Sequence, residues 1–156
     1  MTTLTSVTRR EAKEAVDTFI RDYIAGSSSN SPESIDSIIT ALTSESDMQV
    51  RDYCLGLTLD HPVSTLTEAF SVLSAFIPEG KKAGIYSILA TYSYTQDEAI
   101  NAFEFLSLAL ADDAEYSLAN LLTRVFRAGW TVESFKEMTR ELHPKVLAEL
   151  DDTIIE

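Results

Sequence analysis

The chain has 156 residues, of which 45% are hydrophobic, and 25 acidic against 12 basic side chains give it a formal net charge of −13. This apolar content excludes a disordered chain and is enough for one domain with its own core. The acidic charge argues against a nucleic-acid-binding protein, because such a surface repels phosphate backbones.

Helix signals begin near the N-terminus, where the segment Thr8–Glu11 has the form of a capping box. Apolar residues then recur at steps of three and four as far as Tyr23, which predicts a first helix that ends at Gly26. A polar, serine-rich stretch predicts a flexible loop over 27–31. Pro32 then suits the first turn of a second helix.

Three further helices are predicted in the middle of the chain. Ser46 and Thr65 each stand at the start of a cap pattern, and they predict the beginnings of a third and a fourth helix. A fifth helix is expected from about Lys81 to Tyr94.

The last three helices follow a predicted cap at Thr95. The sixth helix is apolar over most of its circumference, so we expect it to be central in the domain. The seventh ends at Gly129, where a left-handed residue suits a helix end. Pro144 is expected to limit the eighth.

The sequence therefore predicts an all-α protein of about eight helices, arranged as antiparallel helix hairpins in a single domain over 1–156. The N-terminal helix lies within 1–26, and the acidic tail over 145–156 is expected to be loosely attached. A cytoplasmic protein is expected, because no signal peptide and no membrane-spanning stretch is recognisable. The single cysteine, which excludes an internal disulfide, agrees with a reducing compartment.

The fifth and sixth helices resemble a tetratricopeptide helix pair. The positions that carry this resemblance are Tyr86, Leu89, Ala90, Ala102, Leu106 and Ala109. Ser93 departs from the pattern, because an aromatic residue is usual there. The small residues imply two helices that approach each other closely.

A second resemblance covers more of the chain, from about Asp47 to Leu142. VRDYCL at Val50–Leu55 and ALADDAEYSLANLLTRVFRAG at Ala109–Gly129 are similar to segments of the actinobacterial domain-of-unknown-function family 4192. The resemblance implies an actinobacterial cytoplasmic protein that matches the helical C-terminal part of longer members. It supplies no activity and no catalytic residue.

Few residues are candidates for chemistry. His61 and His143 each precede a proline, so both are expected at helix ends, and neither has the spacing of a metal-ligand pair. Cys54 lies on an apolar stripe and is expected to be a buried structural thiol. We therefore expect no cofactor and no metal. We expect Arg51 and Asp52 to be exposed or to form an ion pair with a neighbouring helix. The alternative is a buried contact between arginine and aspartate that fixes how two helices cross.

An acidic cluster precedes the seventh helix. Asp112, Asp113 and Glu115 are expected to complement the dipole of that helix, because negative charge is favourable near a helix N-terminus. A weak cation site is the alternative, although the spacing of a calcium loop is missing. Trp130 is expected to cap the core, with an exposed binding anchor as the alternative.

These observations favour a non-enzymatic adaptor or regulator that binds another protein. The alternatives are an enzyme or small-ligand-binding protein with a pocket between helices, and a structural homo-oligomer. An adaptor predicts an open groove or apolar patch, whereas an enzyme predicts a pocket where polar groups converge. Ser87, Thr91 and Tyr94 are predicted to form an exposed ridge on the fifth helix that would bind a basic peptide.

Overall fold

The computed structural model describes residues 6–26 and 32–156. Its helices are α1 (Arg9–Ile24), α2 (Pro32–Thr43), α3 (Gln49–Leu55), α4 (Val63–Ser74), α5 (Ala83–Thr95), α6 (Ala99–Asp112), α7 (Ser117–Arg127) and α8 (Val132–Ala148), with a 3₁₀ turn at Gly56–Leu59 after α3. The prediction of an all-α domain of about eight helices is confirmed. The predicted loop over 27–31 lies outside the described residues. None of the described helices has the length and apolar character needed to cross a membrane.

Local signals place several helix ends correctly. In the capping box of α1, the Thr8 hydroxyl accepts from the N–H of Glu11, and the Glu11 carboxylate accepts from the N–H of Thr8. Gly26 and Gly129 have φ values of 71° and 77°, the left-handed conformation that suits a glycine after a helix.

Other predicted caps are wrong because the helices begin elsewhere. α4 already begins at Val63, so Thr65 lies inside it. Thr95 belongs to α5, where its hydroxyl donates to a helix carbonyl instead of capping α6. At α3 the cap position is Met48 rather than Ser46, and the Asp47 carboxylate accepts a hydrogen bond from the N–H of Gln49.

The centre of the fold is α5, which packs against α2, α3, α4, α6, α7 and α8. Every residue of α5 except Tyr86 is buried. The prediction that α6 is central is therefore wrong. α6 packs on α5 and α7 through a stripe of Ala102, Leu106 and Ala109, and it leaves Ile100 exposed on its outer face.

Helix α8 continues through Pro144 to Ala148, so the prediction that this proline limits the helix is wrong. Proline removes only its own N–H from the helix ladder, and the carbonyl four residues earlier belongs to Arg140. Both residues are exposed, so water can hydrate that carbonyl. As a result His143, expected at a helix end, lies inside α8 and is buried.

The acidic tail is held by α1, in contrast to the loose attachment that its composition predicts. The N–H groups of Arg9 and Arg10 donate to the carbonyls of Thr153 and Asp151, each at 2.9 Å. These N–H groups lie in the first turn of α1 and have no acceptor within the helix. The tail therefore caps α1, and the buried Ile155 adds an apolar contact.

Candidate binding groove

The three residues predicted as an exposed ridge are buried. Ser87, Thr91 and Tyr94 have exposures of 0%, 3% and 6%, so the prediction that they face a partner from the surface of α5 is wrong. The Ser87 hydroxyl donates to the carbonyl of Ala83 at 2.8 Å, and the Thr91 hydroxyl donates to that of Ser87 at 3.1 Å. Because helix carbonyls satisfy both hydroxyls, these side chains can be buried without an unpaired polar group.

Tyr94 links the core to the connection between α7 and α8. Its ring is stacked on that of Phe126, with centroids 3.8 Å apart and planes at 6°. Phe135 packs edge-on against both rings. The Tyr94 hydroxyl donates to the main-chain carbonyl of Trp130. This cluster fixes where α7 ends and α8 begins.

An open cleft of about 700 Å³ lies between α7 and α8. It exists because the two helices share α5 as a neighbour but otherwise pack on different elements: α7 on α6, and α8 on α3 and the 3₁₀ turn. We call this cleft the α7–α8 groove. Its apolar walls are Leu118, Leu121, Leu122 and Val125 on α7, and Phe135, Met138, Leu142 and Val146 on α8. Leu55, Gly56 and Thr91 contribute to its lining from α3, the 3₁₀ turn and α5.

Large apolar side chains of the α7–α8 groove remain in contact with solvent. Leu121, Trp130 and Leu142 are 47%, 41% and 48% exposed. The prediction that Trp130 caps the core is therefore wrong. The left-handed Gly129 ends the helix just before it, and Tyr94 holds its carbonyl, so the indole lies at the end of the groove where the two walls meet. Apolar side chains gathered around a concavity are typical of a binding site.

Charged residues lie at the end of the α7–α8 groove away from Trp130. The Arg51 guanidinium donates to Asp52 at 2.7 and 3.0 Å and to the hydroxyl of Tyr116 at 3.2 Å. Burial alone would lower the pKa of Arg51, but Asp52 and Tyr116 outweigh that effect and raise it. The ion pair thus forms within α3 rather than with a neighbouring helix. The hydrogen bond from Arg51 to Tyr116 links α3 to the residue before α7. This arrangement leaves Arg51 already paired in the absence of a ligand.

His143 is the polar residue of the α7–α8 groove whose hydrogen bonding is incomplete. It is 7% exposed, and within the described part of the chain its Nδ1 is the one buried side-chain nitrogen or oxygen without a hydrogen-bond partner. The imidazole lies against Gly56 on one side and is stacked near Tyr53, with centroids 5.8 Å apart. The prediction that His143 lies at a helix end is wrong because α8 continues past Pro144.

The remaining candidate residues have structural roles. Cys54 is buried as predicted, and burial raises the pKa of its thiol above the usual range. Asp112 accepts from the N–H groups of Gly80 and Lys82 at 2.8 and 2.6 Å, so it holds the turn before α5 rather than complementing α7. No group of three or more potential metal ligands occurs within residues 6–26 and 32–156. His61 lies in the turn before α4, at a helix end as predicted.

The hydroxyl groups of the threonines that line the α7–α8 groove already donate their protons. Thr91 and Thr139 donate to the carbonyls of Ser87 and Phe135 in their own helices. The site is therefore an apolar surface with few free polar groups, which suits binding of another apolar surface. Sequence reasoning missed it, because the stripe of α7 is equally consistent with a fully covered core face. The width of that stripe was the available signal, since Leu121 extends it beyond Leu118 and Leu122.

The fold and this site together define an all-α domain with an apolar groove between two of its helices. A sequence model of the family described as "Domain of unknown function (DUF4192)" matches residues 4–132, and the chain belongs to that family. The match starts well before the predicted Asp47 and ends where α8 begins. Neither a curated protein nor a solved structure matches the chain. The tetratricopeptide resemblance and the actinobacterial origin stay predictions.

Proposed function

We propose that this protein is a non-enzymatic interaction adaptor that binds an apolar surface of another protein in the α7–α8 groove. The observation that carries the proposal is the exposure of Leu121, Trp130 and Leu142 around a concave apolar cleft. Removing such side chains from water is favourable by about 25 cal/mol per Å² of apolar surface. Aromatic anchors such as tryptophan are enriched among the residues that dominate binding energy.

The polar groups of the α7–α8 groove also support binding rather than catalysis. Arg51 is paired with Asp52, and the hydroxyls of Thr91 and Thr139 are bound by their own helices. A nucleophile with a base in hydrogen-bond reach is the usual sign of covalent catalysis. His143 makes no hydrogen bond to a hydroxyl or thiol in the described structure.

A small apolar ligand is the second candidate for the α7–α8 groove. The cleft volume of about 700 Å³ falls within the range of about 300–1,000 Å³ that is usual for small-molecule sites. Native mass spectrometry of the purified protein separates this candidate from the adaptor, because a retained ligand would add its mass to the folded protein.

Trp130 provides a direct test, because it is the single tryptophan of the sequence and lines the α7–α8 groove. The probe is N-phenyl-1-naphthylamine, an apolar dye without charge, which the net charge of −13 does not repel. We expect the dye to become fluorescent on binding and to quench Trp130 by energy transfer. Binding without any change in Trp130 emission would contradict the proposed site.

Matched variants show whether the dye reports on the α7–α8 groove. The groove variant combines Leu121→Gln and Leu142→Gln, at positions that are 47% and 48% exposed. The control combines Ile100→Gln and Leu108→Gln on α6, at positions that are 77% and 48% exposed. We expect dye affinity to fall at least fivefold in the groove variant alone. Equal affinity in both variants, with unchanged thermal melts, would refute the proposal.

The charge of the chain bears on the kind of partner. A net charge of −13 supports a partner with a basic surface, since opposite charge speeds association. It also predicts no binding to duplex DNA at physiological salt. A mobility shift of DNA at micromolar protein, reversed by salt, would contradict this part of the proposal.

A further inference from the structure

We infer that the occupant of the α7–α8 groove is an amphipathic helix of about three turns, supplied by another protein, with an apolar stripe that faces the groove and basic residues on its flanks. This inference rests on the function proposed above and specifies its partner.

The main chain of the lining elements favours a helix over an extended peptide. The lining residues lie mainly on α3, α5, α7 and α8, so most of their N–H and C=O groups bond within their own helices, and the N–H of Gln49 at the start of α3 donates to Asp47. The carbonyl of Trp130, outside the helices, accepts from Tyr94. An extended peptide would therefore bury N–H and C=O groups against apolar walls with few partners, at a cost in free energy. A helix satisfies its own main chain and presents only side chains.

The side chains of the walls lead to the same conclusion. The hydroxyls of Thr91 and Thr139 cannot donate to the carbonyls of a peptide strand, because both already donate to carbonyls of their own helices. Only their lone pairs remain for a strand N–H. Arg51 is held by Asp52 and Tyr116. The surface is thus suited to interdigitating apolar side chains, as in packing between helices.

The dimensions of the α7–α8 groove set the length of the stripe. Phe135 and Val146 are the first and last apolar wall residues of α8, and at 1.5 Å per residue they are about 16 Å apart along the helix axis. That span equals about three helical turns, which present apolar anchors at positions i, i+3 or i+4, and i+7. α8 itself shows that a helix can pack on this face of the domain, since it buries Phe135 and His143 there.

The charge of this chain indicates which residues flank the apolar stripe of the partner helix. The pair Arg51 and Asp52 is neutral as a unit, and Lys145 and Glu149 balance each other among the lining residues. The attraction therefore comes from the whole surface, with its net charge of −13, rather than from the groove itself. Such long-range attraction raises the association rate and weakens with salt, while the apolar stripe supplies the affinity.

The test uses two fluorescein-labelled peptides of 15 residues, built only from leucine and lysine in the same ratio. In the first, leucines recur at steps of three and four, so they form one stripe of a helix; in the second they alternate strictly with lysine, as in a strand. We expect the full-length protein to bind the helical peptide at least tenfold more tightly by fluorescence anisotropy. Equal or tighter binding of the alternating peptide would overturn the inference.

Variants locate the peptide on the protein. Leu121→Gln with Leu142→Gln is expected to weaken the helical peptide at least tenfold, whereas the α6 control Ile100→Gln with Leu108→Gln leaves its affinity within about twofold. Unchanged affinity in the groove variant would show that the peptide binds the acidic surface elsewhere and would overturn the inference.

The failures of the inference and of the proposed function are distinguishable. If the neutral dye binds the α7–α8 groove but the helical peptide does not, the inference is refuted and the groove remains a binding site for another apolar group. If neither binds there, both are refuted. Sedimentation analysis tests whether a second copy of this chain occupies the α7–α8 groove. A dimer that dissociates in the groove variant alone would also overturn the inference.

Discussion

The main chain at Gly56 lies directly against the imidazole of His143. A Cβ built on this glycine would stand 2.7 Å from Cγ and 2.5 Å from Cε1 of the ring, and closer still to Nδ1. Real side chains do not tolerate such separations, so the glycine is needed here for space. The contact brings α8 close to the turn after α3.

We predict that Gly56→Ala destabilises the protein by about 1–3 kcal/mol, the usual cost of overpacking a filled core. The added methyl group must push the His143 ring towards the α7–α8 groove or separate α8 from the 3₁₀ turn. Urea unfolding followed by circular dichroism measures the change in free energy of unfolding.

A double-mutant cycle provides the control for this clash. His143→Ala removes the ring, so Gly56→Ala should cost much less in that background than in the native protein. Equal costs in the two backgrounds would show that the glycine is required for another reason.

Tyr94→Phe is expected to lower the free energy of unfolding by about 1 kcal/mol, the net value of one hydrogen bond. The variant keeps the stack on Phe126 and loses only the bond to the carbonyl of Trp130. Trp130 emission should change as well, because its main chain is released. The matched control is Tyr23→Phe, whose exposed hydroxyl lies 3.5 Å from Glu68 and should contribute almost nothing. Similar losses in the two variants would argue against an anchoring role for Tyr94.

The sequence predicts helix ends better than it predicts the burial of α5, the helix that contains Tyr94. The capping box at Thr8 and the glycine ends at Gly26 and Gly129 depend on neighbours within a few residues, so local patterns predict them. The burial of α5 depends on six other helices. The hydroxyl of Thr91 looks polar in the sequence, yet its bond to a carbonyl of the same helix makes it compatible with the core.

The two arginines at the start of α1 make a matched pair for testing charge burial. The Arg9 Nε donates to Asp47 at 2.8 Å, with the side chains 18% and 8% exposed. Arg10 pairs with Asp152, and there the side chains are 52% and 74% exposed. We predict that Arg9→Met costs about 2 kcal/mol, because it leaves the Asp47 carboxylate without its buried partner. Arg10→Met should cost less than about 1 kcal/mol. Chemical unfolding of the two variants measures the difference, and equal losses would refute the assignment.

The protein should lose stability as pH rises above the usual pKa of a thiol. Burial raises the pKa values of Cys54 and Tyr92, so the folded state keeps their protons. The unfolded chain releases the thiol proton above pH ~8.5 and the phenol proton above ~10. Because the folded state then binds more protons, the free energy of unfolding falls by about 1.4 kcal/mol per pH unit for each such group.

Cys54→Ala separates the thiol from the phenols. Between pH 9 and 10 (roughly the window in which only the thiol of the unfolded chain ionises) the variant should show a slope that is flatter by about one proton. Urea unfolding across this pH range gives the slopes. Identical slopes would mean that Cys54 is not shielded from solvent in the folded state.

The α7–α8 groove illustrates the limit of periodicity as a predictor. The stripe on α7 that contains Leu118, Leu122 and Val125 indicates an apolar face, but it does not say which helix covers that face. In the structure α8 contacts α7 through Phe135, which packs on Phe126, and otherwise packs on α3, α5 and the 3₁₀ turn, so Leu121 stays exposed. Packed there, α8 places His143 against Gly56, two residues far apart in sequence whose contact no local pattern indicates.

The bonds between the first turn of α1 and the 151–155 segment join opposite ends of the described chain. During synthesis, α1 can pack on α2 long before Asp151 and Thr153 leave the ribosome, so the N–H groups of Arg9 and Arg10 depend on water until then. Closing so long a loop costs more conformational entropy than forming the short-range pair of α5 and α6. The hydrogen bonds between α1 and the 151–155 segment are therefore expected to form last. In hydrogen exchange of the native protein, the amides of Arg9 and Arg10 should lose protection well before those of α5.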